Sequence, residues 1–445
     1  MRNFLLVAEA AGLWYFISKL KSAGSQPNRC VPLKCARSEP NRCALTDLNL
    51  KERMSAMKFG YFANTNNRHL SKPYGKVLAE TVEIAQYLDT EGWNSIWFTE
   101  HHFGHEGFEV CPNPVMMSAW AAAHSKQLRI GQAANIITFW HPLRFAEDLA
   151  MLDHMSGGRV ECAVGRGLYG REALNLNKSA DTRNPAQNFR IFAESLEIIR
   201  RAWSEPCFEF KGEFFQFPDP GFAWDHAMSP KSPEYQDMES LELKKLSLVP
   251  RPLQQPTPPM HQVVDGHLAI QFAAENSLGA MMWIPPTDAL KPRFELYRDK
   301  KAAKEQRSVQ LGEGVMLVRD MFCCESKAEA LKLGGDGIVN YLKWVCHWRG
   351  LDNHRHLGEE LPKTEGKLDL LNVNFLDERN LLFGTPDQIS EKIEEMIEVL
   401  NLQYLLVWSH FPSTDHQAAM RSLKLFNEEV MPRFADRRGE RQAAE

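Results

Sequence analysis

Thr99-Glu100-His101-His102-Phe103 sets a carboxylate and two imidazoles on consecutive residues, directly after the apolar run Ser95–Phe98. That run reads as a buried strand. Barrels and open parallel sheets carry their chemistry at the carboxyl ends of their strands. Histidines beside a carboxylate at such a point suit proton handling near neutral pH, with His101, Glu100 and His102 as the candidate catalytic groups. The alternative is a polar loop with partly exposed histidines.

A second cluster is Gly165-Arg166-Gly167-Leu168-Tyr169-Gly170, after the strand-like run 159–164. It satisfies the G-x-G-x-x-G pattern of a dinucleotide-binding turn. Its context does not, because the third glycine should open a helix at once. Here Arg171-Glu172-Ala173-Leu174 runs into Asn175, Asn177, Ser179, Asp181, Asn184 and Pro185, a loop composition, and the next helix is expected near Ala186. Arg166 offers a better reading: a guanidinium between two glycines at a strand end suits a phosphate or another anion. This disfavours an NAD-dependent dehydrogenase. Cys346, His347, His354 and His356 match no standard zinc spacing, so no metal is expected. Cys162 reads as core packing. Trp140, Trp283 and Trp408 stand at or just past strand ends, where they could line a flat aromatic pocket.

These groups need elements to hold them. Strand-like runs read at 57–63, 94–99, 128–134, 159–164, 261–265, 279–284, 313–320 and 403–408. Amphipathic stretches lie between them, with Leu78, Val82, Ala85 and Leu88 on one helical face. Ile389, Ile393, Met396 and Leu400 form another face, and Ala419, Leu423, Phe426 and Val430 a third. Thr385-Pro386-Asp387-Gln388 is a capping box with proline at the first helical position. Eight strands alternating with helices fit a (β/α)8 TIM-like barrel with insertions and a parallel eight-stranded sheet, although a doubly wound open sheet shares the local signature. The proline-rich stretch 218–260 and residues 350–383 break the rhythm and read as long insertions.

The bulk numbers bound the fold and exclude some partners. The 445 residues are 44% apolar, enough for a large core, and the formal charge of −5 supplies no basic field for nucleic acid. No apolar run reaches the roughly 18 residues of a membrane span. Nine cysteines in a chain of this length form no disulfide framework, which suggests a reducing cytoplasm. Residues 1–56 differ: nine Lys/Arg against four acids give +5 and leave −10 for the remainder. Met57 begins a clean strand, so 1–56 are expected to be an N-terminal extension outside the fold, with a targeting segment as the alternative.

Several motifs occur in an order that resembles the bacterial luciferase-like flavin monooxygenases. They are Met57-Lys-Phe-Gly-Tyr-Phe62, Trp97-Phe-Thr-Glu-His-His-Phe103, Leu128-Arg-Ile-Gly-Gln-Ala-Ala134, His141-Pro-Leu-Arg144, Leu152–Val160, Arg166-Gly-Leu-Tyr169 and Ser422–Pro432. The chain looks most similar to the alkanal monooxygenase alpha chain. The likeness covers 57–434, followed by a polar tail at 435–445. It implies a barrel that binds reduced FMN at its C-terminal face and oxygenates a small organic substrate through a 4a-hydroperoxyflavin. A separate NAD(P)H:flavin reductase would supply the reduced FMN. By position the resemblance assigns catalysis to His101, with Glu100 or His102 holding its tautomer, and the flavin ring to Ala133 and Ala134. It places the FMN phosphate at Arg166, Gly167, Leu168, Val263, Asp265 and Gly266. Trp140 and Trp283 would exclude water, and a homodimer is implied. The chain also departs from the family. Gly165 stands where the luciferase chain has a reactive cysteine. Val263-Val264-Asp265-Gly266 and Ala269 lack two hydroxyl donors of the phosphate strand, so light emission is not expected. A deazaflavin-dependent oxidoreductase of the same barrel and a non-catalytic partner subunit remain the alternatives.

Overall fold

The computed structural model describes residues 57–361 and 368–434. The expected extension at 1–56 and tail at 435–445 lie outside the described residues. Eight parallel strands close into a barrel. In chain order they are β1 (Lys58–Ala63), β2 (Ser95–Phe98), β3 (Arg129–Ile136), β4 (Val160–Gly165), β7 (Met260–Val263), β8 (Gly279–Met282), β9 (Val315–Cys323) and β11 (Tyr404–Trp408). β1 pairs with both β2 and β11, and β8 pairs with β9, which closes the ring. Every residue of β2, β4 and β9 is buried. Strands walled on both sides are mostly apolar, which is why they read as near-continuous runs, with Glu161 in β4 and Arg319 and Asp320 in β9 as buried charged exceptions. The barrel interior is filled by Trp97, Ala133, Ala163, Met281, Met316, Val318 and Leu406. Gly131 permits this, because a β-carbon there would collide with the Trp97 indole.

The outer helices are α1 (Tyr74–Thr90), α2 (Pro114–His124), α3 (Pro142–Ser156), α4 (Gly170–Leu176), α5 (Pro185–Ser204), α6 (His267–Glu275), α7 (Thr287–Glu305), α8 (Lys327–Arg349), α9 (Val373–Asp377), α10 (Pro386–Leu400) and α11 (His416–Glu429). The capping box of α10 forms on both sides, Thr385 with the Gln388 amide and Gln388 with the Thr385 amide. Ile389, Ile393, Met396 and Leu400 are all buried, as their spacing requires. In α1 the buried stripe is offset from the expected one: Val77, Thr81, Ile84, Ala85 and Leu88 face the core, while Leu78 and Val82 sit at its edge.

Three features differ from the sequence reading. A ninth strand, β10 (Leu381–Gly384), lies at the end of the second insertion. It pairs with Asp320–Cys323, of which Met321–Cys323 run past the pairing of β9 with β11. Four residues inside an irregular stretch give too little pattern to stand out. The third glycine of Gly165–Gly170 does open a helix, the seven-residue α4, before the asparagine-rich stretch ends it. β7 stops at Val263, so Asp265 and Gly266 belong to the turn into α6. Just ahead of the first insertion, β5 (Phe210–Lys211) and β6 (Gln216–Phe217) form a two-residue antiparallel ladder, and irregular chain follows to β7.

Candidate active site

A cavity of about 240 Å3 is lined by residues at and beyond the carboxyl ends of β2, β3, β4, β7 and β8, with part of α8 on its flank. It gathers Glu100, His101, Ala133, Ala134, Arg166, Gly167, Leu168, Val263, Asp265 and Gly266. Of the candidate catalytic and cofactor-binding residues, only His102 lies off this lining, next to His101; of the three tryptophans, Trp283 lines it and Trp140 and Trp408 do not.

The His101 ring sits between two carboxylates that the sequence did not single out. Its Nε2 is 3.3 Å from Glu109 Oε1 and its Nδ1 is 3.4 Å from Glu172 Oε1. The Nδ1 approach is an ion-pair distance rather than a well-aligned hydrogen bond. Both carboxylates are buried. Burial by itself disfavours an imidazolium, but Glu109, Glu172 and Glu100 outweigh it and lift the His101 pKa to about 9. Glu109 also accepts from the phenols of Tyr341 (2.8 Å) and Tyr169 (3.2 Å), which fixes it in place. Glu172 accepts from the backbone N–H of His102 at 2.7 Å.

Glu100 does not hold His101, contrary to expectation. Its oxygens meet His102 Nε2 (3.0 Å), the Ile136 amide (2.8 Å) and the Trp140 indole N–H (2.9 Å). The direction of the chain explains this. Alternate residues of an extended segment point to opposite sides, so Glu100 and His102 share a side and His101 takes the other. Trp140 is therefore a hydrogen-bond donor behind the site, not a cavity wall. Trp408 is buried, with its ring edge-on to Tyr341. Trp283 lines the cavity and donates to Asp320. Burial raises the pKa of Asp320 to about 7.

The floor is apolar: Ala133 and Ala134, joined by a cis peptide, with Met281, Met282 and Val318 beside them. β3 shifts its pairing with β4 between Gln132 and Asn135, which carries this pair into the mouth of the barrel. Gly165 lets the two strands approach, since a β-carbon there would press on Ala134 and Ile136. At one end of the cavity stands Arg166, with the Phe189 ring 5.7 Å away as its recorded partner and no carboxylate among the described residues. Burial lowers its pKa from the ordinary arginine value. Gly167 follows at φ +86°, where a β-carbon would strike Phe139. Gly266 begins α6 with no side chain capping its free amides. Sequence reading also missed Arg349, from the far end of α8, which lines the cavity and pairs with Asp265 at 3.3 Å. Its place depends on how a 23-residue helix lies across the barrel, which local sequence does not reveal.

The cysteine–histidine group considered from sequence is not gathered. Cys346 Sγ meets His354 Nε2 at 3.4 Å, His347 packs on Trp348, and His356 bonds Asp288. Cys162 is buried in the core. No helix among the described residues is long and apolar enough to cross a membrane.

The chain is similar to several known proteins. The chain is 23% identical over 394 residues to the oxygenase component of the flavin-dependent trigonelline monooxygenase of Acinetobacter baylyi, covering 87% of this chain and 98% of that protein. It is 26% identical over 398 residues to the alkanal monooxygenase alpha chain of the Kryptophanaron alfredi symbiont, covering 84% and 98%. Among solved structures, the oxygenating constituent of 3,6-diketocamphane monooxygenase from Pseudomonas putida, in complex with FMN, superposes with a TM-score of 0.67 at 20% identity, over 85% of this chain and 99% of that one. The coenzyme F420 dependent tetrahydromethanopterin reductase of Methanopyrus kandleri shares the fold at a TM-score of 0.57 and 15% identity, over 85% of this chain and 100% of that one. The family model of the luciferase-like monooxygenases matches residues 57–401, so the chain belongs to the luciferase-like monooxygenase family.

Proposed function

We propose that the chain is the oxygenase component of a two-component flavin monooxygenase. It takes reduced FMN from a separate NAD(P)H:flavin reductase and uses O2 to oxygenate a small organic substrate. The observation that carries this reading is one cavity with a flat apolar floor, an unpaired guanidinium at one end and a carboxylate-flanked imidazole on its wall. These residues fit FMN. Arg166, the free amides at the start of α6, and Arg349 suit its phosphate, and Ala133–Ala134 suit its ring. The missing hydroxyls near Ala269 and the nearby Asp265 carboxylate predict weak affinity for oxidised FMN. When bound, reduced FMN supplies the two electrons that reduce O2, one oxygen atom entering the substrate and the other leaving as water.

The chain's own residues then have definite tasks. Ala133, Ala134, Met281, Met282, Val318 and Trp283 keep bulk water from the reacting centre. His101 holds a proton at neutral pH and can pass it from Nε2 or Nδ1 to an oxygen in the cavity. Glu109 and Glu172 keep that proton in place, and Glu100 with His102 and Trp140 braces the wall behind. The relatives' names, which include an alkanal and a trigonelline monooxygenase, set the first substrates to try. The chain is proposed to work as a homodimer in the cytoplasm. Met116 and Trp120 on α2, with Met151 and Met155 on α3, are exposed apolar groups that a second copy would cover.

The deciding experiment is anaerobic titration of the full chain with reduced FMN, then mixing with 18O2 in the presence of aldehydes, cyclic ketones or N-heteroaromatics. Tight binding and one 18O atom in the product are expected. Hydride transfer from a reduced deazaflavin, unaffected by O2, would overturn the reading in favour of the deazaflavin oxidoreductase. No binding of either reduced cofactor would favour a partner subunit.

A further inference from the structure

A second cluster of ligand-type side chains stands outside the cavity, where α1, the chain after β11 and the first turn of α11 meet. Glu80 on α1, His410 and His416 each offer one donor atom, and these atoms lie within 4.8 Å of one another. The histidine rings are edge-on with centroids 5.3 Å apart. Two nitrogens there are buried without any hydrogen-bond partner, His410 Nε2 and His416 Nδ1. The His416 side chain is only 6% exposed and that of Glu80 equally so. Two orphaned imidazole nitrogens at one spot call for a physical reason, because a buried polar atom left unpaired is destabilising.

The hydrogen bond on the other side of His416 supplies that reason. His416 Nε2 is 2.9 Å from Glu83 Oε2. A carboxylate accepts only, so Nε2 carries the proton and Nδ1 presents a lone pair. The carboxylate–histidine arrangement is the one that orients imidazoles toward a metal ion. The His410 main chain is anchored, its backbone carbonyl accepting from the Asn66 amide (2.8 Å) and the Trp408 indole (3.1 Å). We propose that Glu80, His410 and His416 form a binding site for a single divalent transition-metal ion of the zinc class, separate from the flavin cavity. Two imidazoles and one carboxylate are a ligand set that Zn2+ accepts in tetrahedral geometry, with water as the fourth ligand. Ligand atoms about 2.0–2.2 Å from such an ion stand roughly 3.3–3.6 Å apart, so the side chains close by about 1 Å on binding. Lys72 Nζ now lies 2.7 Å from Glu80 Oε2, and Lys76 Nζ lies 3.9 Å from Oε1. The metal therefore takes Oε1, the less engaged oxygen, or displaces the partly exposed Lys72. The ion would tie α1 to the chain that leaves β11, clamping the first and last strands of the barrel at the rim.

The test uses the metal alone. The full-length protein, stripped with chelator, is titrated with Co2+ while its visible ligand-field absorption is recorded, and Zn2+ is then added. One Co2+ per chain with tetrahedral bands, displaced by Zn2+, is expected. His410→Gln, which removes no hydrogen bond of the His410 ring, should weaken the metal at least 10-fold while leaving reduced-FMN binding unchanged. Glu83→Gln should weaken it 10- to 100-fold through His416. Absence of the bands overturns the proposal. So does a Co2+ affinity in His410→Gln and Glu80→Gln that is unchanged from the wild type, or thiolate-to-cobalt charge transfer in the near ultraviolet, which would put the ion on cysteines. Should His410→Gln fold poorly by circular dichroism, Glu80→Gln decides the same question.

Discussion

At the scale of single residues, the proposed proton chemistry rests on His101 and the two carboxylates beside it. Its pKa is raised to about 9 against an ordinary 6.5, so the imidazolium is the folded-state form at neutral pH. The sign follows from linkage. The stability it contributes is fully present below about pH 6.5 and is lost as pH rises through about 9. Oxygenation in single-turnover experiments should fall along the same limb, with an apparent pKa near 9. Glu109→Gln removes the larger of the raising charges, so that limb should move to lower pH and peroxide release should rise at the expense of product. An unchanged pH profile in Glu109→Gln would remove the pair from the proton path. Arg166 invites a second test, since riboflavin is FMN without the phosphate. Losing a charge-assisted contact costs about 1.5–3 kcal/mol. Arg166→Ala should therefore weaken reduced FMN about 10- to 100-fold and reduced riboflavin hardly at all. Equal losses for the two ligands would show that the guanidinium does not meet the phosphate.

Elements explain what the sequence could and could not reveal. The eight barrel strands were legible because a strand buried on both faces is mostly apolar along its length, even where single residues such as Glu161 or Asp320 interrupt it. The α10 capping box was legible because its signal is confined to four residues. Glu100, His101 and Arg166 stood out because each follows a strand directly. Glu109, Glu172 and Arg349 reach the same cavity from a loop, a short helix and the end of a long one, so only the closed barrel brings them together. β10 escaped notice because it lies in an insertion and pairs with an overhang of β9, not within the barrel rhythm. The cap itself is measurable. Thr385→Ala removes the hydroxyl that accepts from the Gln388 amide and should cost about 1 kcal/mol in urea denaturation. Ile393→Ala, in the wholly buried face of the same helix, should cost about 2–5 kcal/mol. If the two losses were equal, the capping box would be holding the chain that leaves β10 as well as the helix.

At the scale of the whole molecule, the barrel separates its tasks by position. The carboxyl ends of β2, β3, β4, β7 and β8 carry the cavity, while α2 and α3 turn outward between the strands that hold the alanine floor. On those two helices Met116 is 71% exposed and Met155 63% exposed. Each has an apolar partner one turn away, Trp120 and Met151, so both helices present an apolar ridge to solvent. Exposed apolar ridges on adjacent helices are costly unless a second surface covers them. A second copy of the same chain is the simplest cover, because a two-fold axis sets identical ridges against each other. Met116→Glu with Met155→Glu would bury four like charges at that interface without touching any group of the cavity. Sedimentation should show the wild-type chain as a dimer and the double variant as a monomer that still binds reduced FMN. A variant that stays dimeric would place the interface elsewhere. A monomer that loses FMN binding would mean that the α2–α3 contact holds the alanine floor in shape, making assembly a condition for the site.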